Sequence, residues 1–333
     1  MKVDLLEFGA DTPGQMNTLR VLEFEGSESG PAVYLQAALH AQEWPGVVAL
    51  DQLLPKLQKA EAEGRLASTI TVVPHANPIG LGQAIYGENL GRFDVNSRTN
   101  FNRGFFNYSK KPLGLANKSV VETMKTTLLE RATKADVVLD LHCDDEGPVY
   151  IYVPEPQLAE ARTLAAALGA IAILTYATEG GGAFDEAVYH NWLKTEGNAR
   201  WPKLVATVEL RGAMDVSQSL GEADAASIYA YLVAIGAIKD SLPHFDASTP
   251  LISDEALAEL IPTPVSGAVL YRVELGEWVS AGQCVARILG EAGSPHHEIL
   301  APANGFVMTR RERRFLRKGE DVLKILRHDH SER

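Results

Sequence analysis

The chain of 333 residues has only two cysteines, Cys143 and Cys284, which are too few for the disulfide framework of a small secreted protein. It has no apolar run of roughly 18 residues or more, which argues against a membrane-spanning helix. The segment that begins at Met1 lacks a basic start followed by an apolar core, so it does not resemble a signal peptide. Together these absences predict a cytoplasmic protein.

Acidic residues outnumber basic ones by 43 to 31, and the resulting net charge of -12 argues against broad nucleic-acid binding. Because 46% of the residues are hydrophobic, a chain of this length can bury one large core and a second, smaller one. We therefore expect a soluble enzyme whose partner is a small molecule, without a nucleic-acid or membrane partner. The sequence leaves the oligomeric state open and is compatible with a homo-oligomer.

A histidine and a glutamate three residues apart, His40 and Glu43, follow the apolar run 32–39, which predicts a buried strand. Just past a strand end, such a pair can turn to one side and offer an imidazole nitrogen and a carboxylate oxygen to one ion. These donors suit Zn²⁺, whose hydrolytic sites commonly combine two histidines with a carboxylate and keep one position for water. Since His-x-x-Glu is common by chance, the interpretation depends on a third ligand.

Two further predicted strands end in candidate site residues. The strand 135–142 ends in His142, and the strand 203–210 carries Glu209 near its end. In open α/β sheets, reactive groups gather at the carboxyl ends of strands, where loops converge. Three strand ends therefore supply the metal ligands and one spare carboxylate for proton transfer. Asp140 shares the strand parity of His142 and is a candidate to orient its imidazole.

The order of these motifs resembles the succinylglutamate desuccinylase/aspartoacylase family of the zinc-carboxypeptidase superfamily over about residues 30 to 240. The matching elements are, in order, His40-x-x-Glu43, Asn77-Pro78-x-Gly80, Asn102-Arg103, the strand that ends in His142 and the strand with Glu209. The resemblance implies one Zn²⁺ per chain, held by His40, Glu43 and His142, with Glu209 as general base. It also implies that Asn102 and Arg103 bind the carboxylate of the amino-acid half of the substrate.

The sequence departs from the family pattern at two places. Ala41 follows the first histidine, where the family commonly has glycine. The arginine that polarises the scissile carbonyl has two candidates, since Arg92 and Arg98 both precede Asn102 at plausible distances. We favour Arg92 as the catalytic residue and place Arg98 among the candidates for substrate binding.

Alternating strand and helix patterns, with this resemblance, predict an α/β fold with a zinc-carboxypeptidase-like mixed sheet flanked by helices in a catalytic domain of residues 1–245. The predicted strands are 32–39, 69–75, 135–142, 149–153, 170–174 and 203–210. The predicted helices are 46–60, 117–134, 156–168, 183–196 and 220–239. Residues 1–29 are expected to form an edge hairpin or a lead-in. Residues 76–116 show little periodicity, and a loop of that length is usually functional.

The pattern changes after residue 245. Residues 246–261 are predicted to be a linker with a short helix at 254–260, and residues 328–333 a tail. Between them, residues 262–327 contain an internal repeat in which Pro-x-x-Gly-x-Val is followed by a Gly-(Glu/Asp)-x-Val turn. The repeat resembles the biotinyl/lipoyl-carrier barrel-sandwich and predicts a small all-β domain.

Carriers of this type present a lysine between the two halves, and aligning residues 291–295 with that turn places Ser294 there. We therefore predict no biotin or lipoate on this chain, and we interpret the domain as a lid or an interface. In the aspartoacylase branch a tyrosine of this domain reaches the active site, and Phe315 falls in the comparable region. The basic run around Arg310 and Arg311 is either a solvated hairpin or an attractor of an anionic substrate.

The motifs and the resemblance predict a zinc-dependent deacylase that hydrolyses the amide bond of an N-acyl amino acid or a related small N-acyl amine. A metallocarboxypeptidase or an esterase would use the same residues. A non-catalytic zinc-binding scaffold is the alternative of another class, but a relic site has no physical reason to keep Glu209, which is not a ligand. The sequence does not identify the acyl group or the amine of the substrate.

Overall fold

A computed structural model describes residues 1–10, 12–105, 119–177, 182–195, 200–242, 244–245 and 249–328. In chain order, the first part contains β1 (Lys2–Gly9), β2 (Met16–Phe24), β3 (Val33–Ala37), α1 (Pro45–Ala62), β4 (Ile70–Val73), α2 (Pro78–Leu81), β5 (Ala84–Ile85), β6 (Glu88–Asn89), α3 (Val120–Ala132), β7 (Val137–Asp144), β8 (Val149–Pro154), α4 (Leu158–Leu168), β9 (Ala172–Tyr176), α5 (Phe184–Thr195), β10 (Leu204–Gly212), α6 (Gln218–Ala234) and β11 (Leu251–Asp254).

Nine of these strands form one mixed sheet, in the order β1-β2-β4-β3-β7-β10-β8-β9-β11, while β5 and β6 pair separately. The strands β4, β3, β7 and β10 are mutually parallel neighbours, so their carboxyl ends lie at one edge of the sheet. The strands and helices predicted between residues 32 and 239 are confirmed with shifted ends, and so is the N-terminal edge hairpin, which β1 and β2 form. Residues 117, 118 and 196 of the predicted helices lie outside the described part.

Apolar side chains of alternating parity cover both faces of the sheet. Leu35 and Leu139 belong to a cluster that includes residues of α1, α4 and α6, whereas Tyr34 and Val138 belong to a cluster that includes residues of α3 and α5. Because consecutive strand residues point to opposite faces, the two clusters lie on the two sides of the sheet. The predicted mixed sheet flanked by helices is therefore confirmed. No helix in the described part is long and apolar enough to cross a membrane.

The C-terminal part is all-β, as predicted. Its strands are β12 (Ala258–Pro262), β13 (Gly267–Tyr271), β14 (Trp278–Val279), β15 (Cys284–Leu289), β16 (His297–Leu300), β17 (Gly305–Arg310), β18 (Phe315–Leu316) and β19 (Asp321–Arg327). They form two four-stranded antiparallel sheets, β12-β19-β17-β14 and β16-β15-β13-β18, which share one apolar core. The two repeats place glycine at matching positions, 267 and 305, where a β-carbon would collide with a backbone carbonyl of the neighbouring strand.

The short helix predicted at 254–260 is wrong. Asp254 caps a single 3₁₀ turn, Glu255–Leu257, by accepting from the Ala256 amide (2.8 Å). Before the turn, β11 pairs with β9 of the large sheet, and after it β12 pairs with β19 of the C-terminal part. Pairing on both sides overrides the helix propensity of these residues. Residues 246–248 of the predicted linker and residues 329–333 of the predicted tail lie outside the described part.

The two parts of the chain pack directly against each other. Tyr150 and Leu174 of the large sheet share an apolar cluster with Phe306, Met308 and Leu326 of the C-terminal part. Glu146 and Arg310 also form an antiparallel bridge through two backbone hydrogen bonds of 3.1 and 3.0 Å. The C-terminal part is therefore joined to the large sheet by main-chain as well as side-chain contacts.

Candidate active site

The loop after β3 is braced by the Asn-Pro-x-Gly motif. The Asn77 side-chain amide donates to the Leu39 carbonyl (2.9 Å), and its oxygen accepts from the Gly80 amide (2.8 Å). Ala38 adopts a left-handed conformation, with φ of 56°, as the chain leaves the strand. The Asn-Pro-x-Gly motif therefore stabilises the loop that carries His40. This structural role explains why the motif belongs to the pattern although none of its residues is a candidate ligand or catalytic group.

The structure brings His40, Glu43 and His142 together in one buried cluster. His40 Nδ1 lies 3.0 Å from Glu43 Oε1, and His142 Nδ1 lies 2.8 Å from Glu43 Oε2. The donor atoms of the three side chains all lie within 4.8 Å of one another, the arrangement needed to hold a metal ion. Burial raises the pKa of Glu43, but electrostatic interaction and hydrogen bonding with the His40 and His142 rings lower it by more, so the pKa lies well below its usual value.

The outer ring nitrogens of both histidines are also held. His40 Nε2 lies 2.9 Å from Asn100 Oδ1, and His142 Nε2 lies 2.9 Å from Asp140 Oδ2. The Asn100 side chain presents its oxygen here, because the same atom accepts from the Asn102 amide (2.8 Å). In a neutral imidazole each Nε2 then carries the proton, and each Nδ1 directs a lone pair toward Glu43. Two lone pairs facing one carboxylate fit a cation between them.

A buried series of hydrogen bonds supports His142 through Asp140. Gln36 Nε2 donates to Asp140 Oδ1 (2.9 Å), and the Tyr34 hydroxyl donates to Gln36 Oε1 (2.9 Å). Gln36 and Asp140 are register partners on β3 and β7, so the sheet itself fixes this contact. The position of Asp140 against His142 agrees with its strand parity. The supporting roles of Asn100, Gln36 and Tyr34 were not predicted from the sequence.

Glu209 lies beside this cluster on β10, as the register partner of His142. It lines the cavity, and its Oε2 atom is buried without a hydrogen-bond partner in the described part of the chain. Burial, and then the negative charge of Asp144, raise the pKa of Glu209 to about 8. The structure thus places a carboxyl group able to exchange a proton near neutral pH next to the candidate metal ligands.

The four remaining predicted site residues separate into two groups. Arg92, Asn102 and Arg103 line the cavity. Arg92 Nη1 donates to Glu43 Oε1 (3.0 Å) with a half-exposed side chain, whereas Asn102 is buried and its Oδ1 caps α5 through the Phe184 amide (2.8 Å). Arg98 does not line this cavity and is exposed, with a left-handed backbone (φ 60°). The geometry therefore favours Arg92 over Arg98 for contact with a bound substrate.

Cys143 follows His142 on β7, is buried and lines the same cavity. The cavity begins at the end of this strand, so both neighbours reach it. The Cys143 amide donates to Glu43 Oε2 (3.2 Å). Burial, followed by the charge of Glu43, strongly raises the pKa of the Cys143 thiol. The thiol therefore stays protonated and is a poor nucleophile.

The cavity has a volume of about 540 Å³, and the C-terminal part forms one of its walls. Lys324 reaches across the interface, where its ammonium donates to Asp144 Oδ2 (3.2 Å), to the Tyr150 hydroxyl (3.1 Å) and to the Tyr152 hydroxyl (3.4 Å). Phe315, predicted to lie in the region of the family's tyrosine, is exposed on β18 and does not line this cavity. Lys324 was missed because one lysine in a strand carries no sequence signal.

The basic run of the C-terminal part is paired with an acidic run after β7. Arg311 contacts Asp145 (2.9 Å), and Arg310 contacts Glu146 (3.1 Å). Arg310 and Arg311 also line the cavity. These two arginines are therefore not simply solvated, and attraction of an anionic substrate stays a prediction. They tie the two parts of the chain together at the edge of the cavity.

Comparison with protein-family models matches residues 29–235 to the succinylglutamate desuccinylase/aspartoacylase catalytic domain. A solved family protein from Shewanella amazonensis is 23% identical, with a TM-score of 0.84 and 98% of each chain covered. Another from Shewanella frigidimarina is 24% identical, with a TM-score of 0.83, covering 98% of this chain and 97% of that one. The product-bound ectoine utilization protein EutE (DoeB) from Ruegeria pomeroyi is 20% identical, with a TM-score of 0.75, covering 96% and 93%. Comparison with curated proteins finds no match.

At these identities the solved structures show a shared fold, which extends over both parts of the chain. The family model covers more than half of the sequence, and the matched range includes His40, Glu43, His142 and Glu209. The motif order, the clustered side chains and the family match agree with one another. The chain therefore belongs to the succinylglutamate desuccinylase/aspartoacylase family of hydrolases.

Proposed function

We propose that the protein is a zinc-dependent deacylase that hydrolyses the amide bond of an N-acyl amino acid or a related small N-acyl amine. One observation carries this proposal. Two imidazole Nδ1 atoms face the Glu43 carboxylate, and the buried Glu209 carboxyl beside them has an oxygen without a partner in the described residues. Family membership supports the deacylase class.

The donor set fits zinc. His40, Glu43 and His142 would hold the ion, since two histidines and one carboxylate are a common ligand set of hydrolytic zinc sites. Asn100 and Asp140 fix the two rings from behind, as the outer partners of zinc-bound histidines do. When bound, zinc would lower the pKa of a water molecule toward ~7 and polarise the acyl carbonyl of the substrate.

Glu209 is the proton carrier in this proposal. Its carboxylate takes a proton from the attacking water, holds it at the buried edge of the cavity, and returns it to the nitrogen of the leaving amine. One carboxyl group serves both steps because its charge alternates between them. Burial raises the pKa of Glu209 from its usual value toward neutrality, and a group that both accepts and donates a proton works best when its pKa lies near the working pH.

Other polar residues that line the cavity would bind the substrate. In this proposal Arg103 pairs with the carboxylate of the amino-acid half, and the Asn102 amide orients it. Arg92 stands next to Glu43 and would stabilise negative charge that develops on the acyl oxygen. The residues of the C-terminal part that line the cavity would limit the length of the substrate.

The proposal is tested by zinc analysis together with a substrate screen. The purified full-length chain is expected to contain one zinc per chain, and it should release free amine from at least one of a set of N-acetyl, N-succinyl and N-formyl amino acids. Peptides with a free carboxyl terminus and simple esters are measured alongside. Preferential hydrolysis of peptides would make the protein a metallocarboxypeptidase, and preference for esters an esterase. Zinc binding without any hydrolysis would favour a scaffold.

A further inference from the structure

A buried lysine that the proposed mechanism does not use lies behind the turn that carries Asn102. Lys125, on α3, is fully buried, and its ammonium donates to the backbone carbonyls of Asn100 (3.2 Å) and Arg103 (2.7 Å). The ring of Phe105 also faces the ammonium, with 5.3 Å from Nζ to the ring centroid. All three partners belong to one short segment, residues 100–105.

The turn from Asn100 to Arg103 serves two sides of the site. At its start, the Asn100 side chain accepts from His40 Nε2, the outer nitrogen of a candidate zinc ligand. At its end, Asn102 and Arg103 line the cavity. The Arg103 amide closes the turn by donating to the Asn100 carbonyl (3.2 Å). A shift of this one turn would therefore move an imidazole and two candidate substrate-binding side chains together.

A charged residue in this position requires an explanation, because burying an ammonium is unfavourable without fixed partners. Met124 and Leu128, its neighbours on the same helix, fill the core with apolar side chains. Burial lowers the pKa of Lys125 to about 8, against the opposing charges of Asp94 and Glu122. An apolar residue at 125 would avoid that cost but would leave the inward-facing Arg103 carbonyl without the donor that the lysine provides.

We propose that Lys125 is a positioning residue that holds the turn Asn100–Arg103 and so couples substrate binding to the orientation of His40. Lys125 touches neither the substrate nor the metal, and it acts through the backbone of the turn. The substrate half of this inference rests on the proposed function. The metal half rests only on the contact between Asn100 and His40.

The full-length variant Lys125→Met tests this role, since it keeps the length of the side chain and removes the donors. We expect KM for the best N-acyl amino acid to rise about tenfold at nearly constant kcat, the size expected for one lost hydrogen bond to a charged group. Zinc affinity, measured by competition with a chelator, should fall by at most about tenfold, the lower end for losing an outer partner, because Asn100 is displaced but not removed. Lys134→Met, at an exposed lysine just beyond α3, should change neither value.

A double-mutant cycle with Arg103→Ala separates positioning from general destabilisation. If Lys125 acts through the turn, Lys125→Met should add little to KM once Arg103 is absent, because neighbours in one network are not additive. If the two substitutions together raise KM by the product of their separate effects, the role is overturned. It is also overturned if Lys125→Met lowers Tm but has the same KM and zinc affinity as Lys134→Met. Should Lys125→Met not fold, Lys125→Leu, which also has no donor, carries the same comparison.

Failure of the proposed function is distinguishable from failure of this inference. If the parent protein hydrolyses no N-acyl amino acid, the substrate assignment fails and KM has no meaning. The zinc affinities of the parent, Lys125→Met and Lys134→Met still compare directly. Weaker zinc binding in Lys125→Met alone supports the positioning role, and equal zinc binding in all three overturns it.

Discussion

Glu209 and His142 are register partners on two adjacent parallel strands, β10 and β7, so their side chains leave the same edge of the sheet side by side. The register breaks directly afterwards, between Glu209 and Gly212, and Arg211 adopts a left-handed conformation with φ of 61°. The unbroken register between β10 and β7 therefore ends at these two residues, and pairing resumes only at Gly212 and Asp144. The proposed proton carrier and a candidate metal ligand are therefore held in place by the sheet and not by a loop, which limits their relative motion.

Replacing Glu209 by glutamine should separate proton transfer from metal binding. The amide keeps the volume of the side chain but cannot accept the proton, so kcat should fall by about 10²–10⁴. Zinc content, measured by elemental analysis, should stay at the parent value. If zinc is lost together with activity, Glu209 is a ligand and the proposed division of roles is wrong.

Removing the imidazole of His142 should weaken metal binding. Under limiting zinc, His142→Ala should contain much less metal than the parent, because only His40 and Glu43 are left as protein ligands. Asp140→Asn offers a graded comparison, since an outer partner typically contributes about 10- to 100-fold in affinity. Elemental analysis that finds one zinc per chain in His142→Ala would rule out this ligand set.

The two candidate arginines are expected to differ in their effect on catalysis. Arg92 contacts Glu43 inside the cavity, whereas Arg98 lies outside it. Arg92→Ala should lower kcat by on the order of 10²-fold, the effect of removing one group that stabilises developing charge. Arg98→Ala should show a much smaller loss in the same assay. A larger loss of kcat in Arg98→Ala would reverse the assignment.

The sequence predicted the large sheet well because buried parallel strands leave a direct signal. The segments 135–142 and 203–210 are short, nearly continuous apolar runs, and the structure has β7 and β10 there. The predicted helix at 254–260 failed because Asp254 starts a turn equally well in a helix or in a 3₁₀ turn. Pairing with β19, which is remote in sequence, decided the outcome.

The sequence likewise predicted some residues of the candidate site and not others. His40, Glu43, His142 and Glu209 stand at strand ends in an order that the family shares, so the sequence pointed to them. The sequence did not predict a role for Asn100, because this residue lies in the aperiodic segment 76–116, where no pattern distinguishes one asparagine from another. Its importance comes from its distance to His40, and only the three-dimensional structure supplies that distance.

The interface between the two parts of the chain should depend on Lys324. Lys324→Met would leave Asp144 without its ammonium partner at a mostly buried position. We expect a loss in the free energy of unfolding on the order of 3 kcal/mol, the lower end for a broken buried ion pair, because both side chains keep some exposure. Lys318→Met, at an exposed lysine of the same part, should stay within roughly 0.5 kcal/mol of the parent. Equal stability of both variants in chemical denaturation would show that the Lys324 contact contributes nothing.

The buried ammonium of Lys125 predicts a specific alkaline pH dependence of stability. Burial lowers its pKa to about 8 in the folded protein, from the usual 10.5. Between these values the unfolded chain binds more protons than the folded protein does, so the contribution of this group to the free energy of unfolding increases with pH. The free energy of unfolding of the parent minus that of Lys125→Met should therefore be constant below pH 8. Above pH 8 this difference should increase by at most ~1.4 kcal/mol per pH unit.

Denaturant unfolding at a series of pH values from 7 to about 10 measures this difference, and the exposed Lys134→Met variant supplies the flat reference. The sign of the slope of this difference against pH is decisive, because it shows whether burial or the nearby carbonyls and carboxylates have the larger effect on the pKa of Lys125. If the carbonyls of Asn100 and Arg103 and the nearby carboxylates outweighed desolvation, the pKa would be raised above 10.5. Stability would then be lost with increasing pH, and only in the range above pH 10. A rising difference between pH 8 and 10 is expected only if burial dominates.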